Sequence, residues 1–355
     1  MDTSNESSRL CVVGAGLAGA AVAYRLRNEP VEVTLLEKSR GVGGRAATRR
    51  RDGCRYDHGA NYIKDSDDRT TPLLESLGSD GLVDIDEPVW TFDATDKINE
   101  SDRQESHKWT WKAGITQFGK RLLAETEAVV RKSTRAEALA YDDSASHWTL
   151  TDTDGDDHGP FDAVVLTPPA PQTAELLSAT RIPGGSEAVD AAADAVGAVP
   201  YRTIRSIMLH YPFDLDRPYY ALVNPDREHE IGWLARESCK PGHVPDGEEL
   251  LIVQMAPGWS TTHYDEPLDS VATDVAAMVG DLLGDDRLAD PDWVDDQGWR
   301  YALPDAAVDA DALSSLAQYD LHVAGDWVVG EGRAHEAFWN GVELGERLTD
   351  TPATR

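Results

Sequence analysis

The chain predicts an α/β fold in two parts: a doubly wound unit of mostly parallel strands carrying a β-meander, and a second, α+β unit. Three observations predict it. Residues 10–37 read as strand, glycine turn, alanine-rich helix and strand. Residues 136–166 read as three short strands split by acidic turns. From about 181 to 303 the pattern shifts to longer, aromatic-rich β segments broken by one helix.

Each element has its reason. Leu10, Cys11, Val12 and Val13 make a short apolar run of the kind a buried strand needs, and residues 18–27 are rich in alanine. Residues 31–36 alternate and are β-branched, completing a βαβ unit. Residues 40–55 are rich in Gly and Arg and are expected to form a loop over an anionic group. Residues 71–77 form a helix candidate and 93–106 a polar loop. Residues 115–127 show helical spacing of Phe118, Leu122 and Leu123. The meander strands are 136–141, 148–151 and 161–166, with turns at 142–144 and 152–159. Pro168, Pro169 and Pro171 lead into a helix through Leu177. Strands follow at 204–211, 219–223, 231–235 and 250–255, a helix at 268–283, a last buried strand at 321–324 and a closing helix at 338–348. No internal repeat is found.

The 355 residues hold 33 Lys plus Arg against 64 Asp plus Glu, a formal charge of −31. Nucleic acid and anionic membrane would be repelled, so neither is an expected partner. Lysine is scarce, eight against twenty-five arginines, and carboxylates run along the whole chain, as on the solvated surfaces of halophilic proteins. Ten tryptophans and many regular apolar segments argue against disorder. Cys11, Cys54 and Cys239 give neither a disulfide framework nor a metal spacing, which points to a reducing cytoplasm. Residues 10–24, an uncharged run as long as any in the chain, are short for a membrane span, and no cationic stretch precedes them.

Gly14-Ala15-Gly16-Leu17-Ala18-Gly19 is a GxGxxG turn between strand and helix. Gly14 permits the tight turn, Gly16 lets backbone approach a pyrophosphate, and Gly19 lets helix and strand pack closely. The helix N-terminus offers amides and a positive dipole end to phosphate. Glu37, eighteen residues past Gly19, suits a ribose diol and would repel a 2′-phosphate. The unit is therefore Rossmann-like. Arg40-Gly41-Val42-Gly43-Gly44-Arg45 follows, fit for a second pass of backbone along the pyrophosphate. In a chain this acidic, Arg40, Arg45, Arg49, Arg50 and Arg51 call for an anionic counterpart.

Residues 37–45, from Glu37-Lys38 through Gly43-Gly44-Arg45, together with Asp57-His58-Gly59-Ala60-Asn61-Tyr62, resemble the flavin-dependent amine oxidases and their renalase-like branch. Ala324-Gly325-Asp326-Trp327 and residues 333–341 resemble that family's second FAD motif. Trp233-Leu234-Ala235-Arg236-Glu237, Lys240-Pro241-Gly242, Trp259-Ser260 and Trp299-Arg300-Tyr301-Ala302-Leu303-Pro304 resemble the branch's substrate-domain signatures. The resemblance implies an amine oxidase/p-hydroxybenzoate hydroxylase-like architecture. In it FAD binds to residues 1–63, 115–180 and 305–355, and substrate to 64–114 and 181–304. It also implies that Lys38, His58, Gly59, Ala60, Asn61, Gly325, Asp326, Glu336 and Ala337 contact the flavin, and that Ala136 stands where the family has Val against the adenine. Asn340 replaces the family's Ser. No cysteine lies near Gly325 or the last helix, so a thioether-linked flavin is not expected and the FAD should be non-covalent.

Redox chemistry would belong to the flavin, and the protein's part is placement in a dry, aromatic-walled site. His58, Tyr62, Trp233, Trp299 and Tyr301 are the candidates for that wall. No Ser-His-Asp order, HExxH or close Cys/His set is evident, and no general base. That favours a small donor surrendering hydride without deprotonation, such as the dihydronicotinamide isomers the branch implies, with oxygen as acceptor. An amine oxidase or isoprenoid desaturase, and a non-catalytic FAD-binding protein, stay open. The oligomeric state is not legible.

Overall fold

The computed structural model describes residues 7–65, 68–101 and 106–350. The chain packs as two compact units. One is Met1–Arg45, Phe118–Tyr201 and Leu303–Arg355; the other is Ala46–Gln117 and Arg202–Ala302. Residues 46–63 thus join the second unit, and 181–201 the first.

The first unit is built on a five-stranded, wholly parallel sheet. Its order is Val129–Lys132, β2 (Val31–Glu37), β1 (Ser8–Val13), Ala163–Leu166 and Leu321–Val323. Alternate residues serve opposite faces. Leu10, Val12, Leu35 and Val165 pack on one side with Val22 of α1 (Leu17–Arg25) and Leu344 of the closing helix Ala334–Asp350. Cys11, Val13, Leu36, Val164 and Leu166 pack on the other with Trp148, Leu150, Leu177 and Val196. Burial of both faces explains why these strands read as unbroken apolar runs.

The meander differs from expectation at its third strand. Ala136–Asp142, His147–Asp152 and Asp157–Phe161 form it, while Ala163–Leu166 belongs to the parallel sheet beside β1. Asp162 makes the switch, accepting a bond from the Arg9 amide and donating its own amide to the Arg9 carbonyl. Ser186–Gly197 is a helix within a stretch expected to be β. Val189, Ala192, Ala193 and Val196 are its buried stripe, a helical spacing present in the sequence.

The second unit has a seven-stranded sheet ordered Trp293–Pro304, Tyr201–Tyr211, Glu249–Met255, Ile231–Arg236, Ala221–Val223, Val89–Phe92 and Ile98–Asn99. One face packs Leu209, Leu234 and Val253 against Val271, Val275 and Val279 of the helix Leu268–Leu283, which the sequence placed correctly. The other face carries Met208, Ala235 and Ile252 with Tyr56, Tyr220 and Trp293. The strand Trp293–Pro304 was not expected, because Asp295 and Asp296 break its apolar pattern. Their carboxylates pair with Arg49 and Arg205. The expected polar loop at 93–106 contains the strand Ile98–Asn99; its residues 102–105 lie outside the described residues. Among the described residues no helix is long and apolar enough to cross a membrane.

Candidate functional site

In the first unit, three backbone segments converge on the turn between β1 and α1. Gly14 sits at φ +99°, and a Cβ there would lie 2.6 Å from Thr167 Oγ1. Gly16 pairs with Gly43, whose amide donates to the Ala15 carbonyl at 2.8 Å. A Cβ on Gly44 would come within 3.2 Å of the Gly16 Cα. The second glycine pair therefore lies backbone to backbone on the first. Gly16 caps α1 without a side-chain bond, and its first-turn amides have no intrahelical carbonyl to meet. Leu17, Ala18 and Gly19 are buried in that first turn.

Glu37 ends β2 buried. Its Oε2 accepts the Ala15 amide and its Oε1 the Ser39 amide, each at 2.7 Å. A carboxylate has about four lone-pair sites, so roughly two are left for a diol. Lys38 Nζ donates to Gln172, and Arg40 is exposed. Arg45 bonds Asp326 at 2.8 Å, fixing the Gly325–Asp326 turn. The Gly325 amide donates to Asn340 Oδ1 at 2.9 Å. Asn340, flagged in the sequence only as a departure, thus holds that turn from the closing helix. Glu336 and Ala337 lie in this helix's first turn, and Ala136 is buried at the start of the meander. A backbone-only cradle, a helix N-terminus and an oriented carboxylate fit a dinucleotide.

The arginine expectation is corrected at Arg49, Arg50 and Arg51. Thr48–Arg51 and Cys54–Asp57 form a hairpin in the second unit, not a loop over an anion. Arg49 binds Asp295 and Gln297, Arg50 donates to the Ala113 carbonyl, and Arg51 donates to Val294 and lies over the Trp293 ring. Protein groups satisfy them.

The hairpin delivers residues 58–62. His58 stacks on Trp299 with centroids 5.5 Å apart and planes 12° apart, and Trp299 Nε1 donates to the His58 carbonyl. Tyr62 meets both Trp233 and Tyr220 at 6.2 Å. Tyr301 lies two residues from Trp299 on the same strand face. Gln254 Nε2 and Asn61 Nδ2 both donate to the Gly59 carbonyl. Buried without a hydrogen-bond partner are His58 Nδ1, Asn61 Oδ1, Tyr220 Oη and Trp233 Nε1. Burial, with Arg49 nearby, holds the His58 pKa down to about 4, so the ring is neutral at pH 7. Tyr220 and Gln254 are additions the sequence did not single out; Tyr220 sat unremarked in a strand candidate.

Behind this segment lies a fully buried charge cluster: Asp57, Glu237, Lys240 and His243. Carboxylate and imidazole atoms of Asp57, Glu237 and His243 lie within 4.8 Å of one another, as for a metal. The Lys240 ammonium is the cation they hold, 3.0 Å from Asp57 Oδ2 and 2.9 Å from Glu237 Oε2. Burial pushes the Asp57 carboxyl up, and Lys240, His243 and the hydrogen bonds from Thr48 and the Ile115 amide together pull it down further, leaving it below its ordinary value. Cys54, His210 and Glu248 also come together, a Cys/His set the sequence spacing hid. There His210 bonds Glu248 and stacks on Trp293 at 4.8 Å.

Two family models match the chain. An NAD(P)-binding Rossmann-like domain covers residues 12–77 and Flavin containing amine oxidoreductase covers 90–343. Mitochondrial protoporphyrinogen oxidase of Nicotiana tabacum is 36% identical over 77 residues, 22% of this chain and 15% of that protein. The aligned part thus spans well under a fifth of that relative's length. A structure of a provisional protoporphyrinogen oxidase from Exiguobacterium sp. 255-15 superposes with TM-score 0.75 at 17% identity, covering 96% of this chain and 98% of that one. Wild-type putrescine oxidase bound to putrescine gives 0.73 at 11%, covering 97% and 99%. At these identities the structural likeness is one of fold.

Proposed function

The chain belongs to the flavin containing amine oxidoreductase family, and from that premise we propose a renalase-like oxidase. It takes a hydride, two electrons and one proton, from a small dihydronicotinamide isomer, leaving the oxidised nicotinamide cation, and with a second proton from solvent passes them to dioxygen, releasing hydrogen peroxide. Bound FAD would supply the hydride acceptor, chemistry that amino-acid side chains lack. The cradle at Gly14–Gly19, Gly43 and Gly44 would hold its pyrophosphate, and Glu37 its ribose. Cys11, Cys54 and Cys239 lie outside the Gly325–Asp326 turn and the closing helix, which supports a non-covalent cofactor. The acidic, lysine-poor composition supports a halophilic setting, and the three widely spaced cysteines support a reducing cytoplasm.

One observation carries the donor class. Around residues 58–62 the aromatic faces of Trp299, Tyr62 and Trp233 stand beside neutral polar atoms that lack partners. A flat, uncharged ring bearing an amide satisfies both, since buried polar atoms want hydrogen bonds and aromatic faces want a plane. Aromatic faces also attract an ammonium, which favours an amine as the second reading. Against it, the carboxylates of Asp57 and Glu237 behind the segment are already committed to Lys240 and His243, so they offer an ammonium no counter-charge.

Anaerobic mixing with dihydronicotinamide isomers and with amines, read at the flavin's visible absorbance, tests this. Bleaching by the former, then one peroxide per donor in air, is the expected result. Bleaching by amines alone overturns the donor class, and colour that stays with the denatured chain overturns the non-covalent cofactor.

A further inference from the structure

We infer that Lys240 and His243 are positioning residues: with Asp57 and Glu237 they form a closed quartet of two cations and two anions that fixes the segment 58–62. This rests on the reading that the segment faces the donor.

The protonation state of His243 follows from geometry. Its Nδ1 lies 3.1 Å from Glu237 Oε2 and its Nε2 lies 2.9 Å from the Trp111 carbonyl oxygen. Both neighbours are acceptors only. A neutral imidazole carries one N–H and would turn a lone pair on one of them; the imidazolium donates to both. The groups facing the ring are Glu237, Asp57 and Lys240. Burial is the largest single influence and lowers the His243 pKa, but the charge and hydrogen bond of Glu237 together with the charge of Asp57 outweigh it, and the net is upward. With His243 charged the quartet is neutral, which lets four ionised side chains sit at zero exposure.

The quartet grips the chain where the segment begins. Glu237 Oε1 accepts the Asp57 amide at 2.7 Å. Asp57 Oδ1 accepts from Thr48 Oγ1 and the Ile115 amide, and Oδ2 from Thr110 Oγ1. One residue on, the His58 amide donates to the Ala47 carbonyl, and the His58 and Gly59 carbonyls take bonds from Trp299 and Gln254. His58 is thus held from both sides, by the charge cluster behind and the sheet in front.

Removing one partner of a buried ion set leaves a charge uncompensated, while removing a cation and an anion together restores balance. Lys240→Met and the double variant Asp57→Asn/Lys240→Met separate these effects. The expected result is that both variants retain FAD, because the pyrophosphate and ribose contacts proposed at Gly14–Gly19, Gly43, Gly44 and Glu37 lie in the other unit. Lys240→Met should melt at lower temperature and lose tenfold or more in the donor-reduction rate constant. The double variant should regain the melting temperature yet stay slow. ¹⁵N-histidine NMR of the unmodified protein should show both His243 ring nitrogens protonated at pH 7, a readout independent of any variant folding. A singly protonated His243 overturns the quartet's charge balance. A stable double variant reducing at the wild-type rate overturns the positioning role. If no dihydronicotinamide bleaches the wild type, the proposed function falls, while the NMR and melting results still judge the quartet.

Discussion

Both oxygens of Glu37 already accept a backbone amide, from Ala15 and Ser39, so the carboxylate is oriented before any ribose arrives. That changes what a substitution should do. In Glu37→Gln one of the two backbone donors would face an NH₂ group, at a cost of about 1–3 kcal/mol. Glu37→Gln should therefore weaken FAD binding and lower the melting temperature, and Glu37→Arg should abolish binding; FAD titration of the apoprotein and thermal melts check both. Equal affinities for the three forms would remove Glu37 from the ribose. His58 gives a second residue-scale expectation. Its folded pKa, about 4, lies below the ordinary 6.5, mainly through burial. Its contribution to stability is therefore complete above pH 6.5 and lost as pH falls towards 4. By NMR the His58 ring should stay neutral from pH 8 down to about 5. His243, with its pKa raised, has the opposite sign: its contribution is complete below 6.5 and lost as pH rises through the folded value.

Between elements, the contact of α1 with the closing helix is set by two glycines that behave differently. A Cβ at Gly341 would land on the Ala18 carbonyl oxygen, which is fixed in the first turns of α1. One at Gly345 would meet Arg25 Cβ and Cγ at 2.8 Å, a shallower overlap in which Cγ can rotate away although Cβ is fixed by the α1 backbone. Gly341→Ala should cost about 1–3 kcal/mol and Gly345→Ala distinctly less; urea melts of the two variants decide it, and equal losses would refute the distinction. What the sequence made legible at this scale follows the same logic. β1, α1 and β2 were readable because local pattern and tertiary role agree: both faces of the sheet are buried, so the strands are apolar throughout. Trp293–Pro304 was not, because Asp295 and Asp296 find Arg49 and Arg205, partners far away in sequence. The hairpin arginines misled for the same reason. Of the candidate site, the glycine cradle was legible as a motif, since a close backbone approach permits only glycine. The roles of Asn340, Tyr220 and His243 were not, because each is defined by what it touches and not by what flanks it.

Over the whole molecule, the net charge of −31 is the dominant long-range force. The buried quartet is neutral and its pairs are in contact, so dissolved salt hardly reaches it. The repulsion that salt can relieve lies among exposed carboxylates, where the Debye length sets the range: about 30 Å at 0.01 M and about 3 Å at 1 M. Between those limits each carboxylate goes from feeling most of its neighbours to feeling almost none. The melting temperature should therefore climb steeply with KCl at low concentration and flatten as the Debye length drops below the spacing between charges. Preferential exclusion of solutes strengthens burial differently, growing steadily with concentration and needing no charge. Sucrose at matched osmolarity separates the two, since it should not reproduce the steep early rise. Lowering the pH from 7 towards 5 in 0.01 M KCl should relieve part of the same repulsion before the paired carboxylates protonate, set against the loss from the buried, neutral His58. A melting temperature indifferent to KCl would mean that the carboxylates are already compensated locally, and the halophilic reading would fail with it.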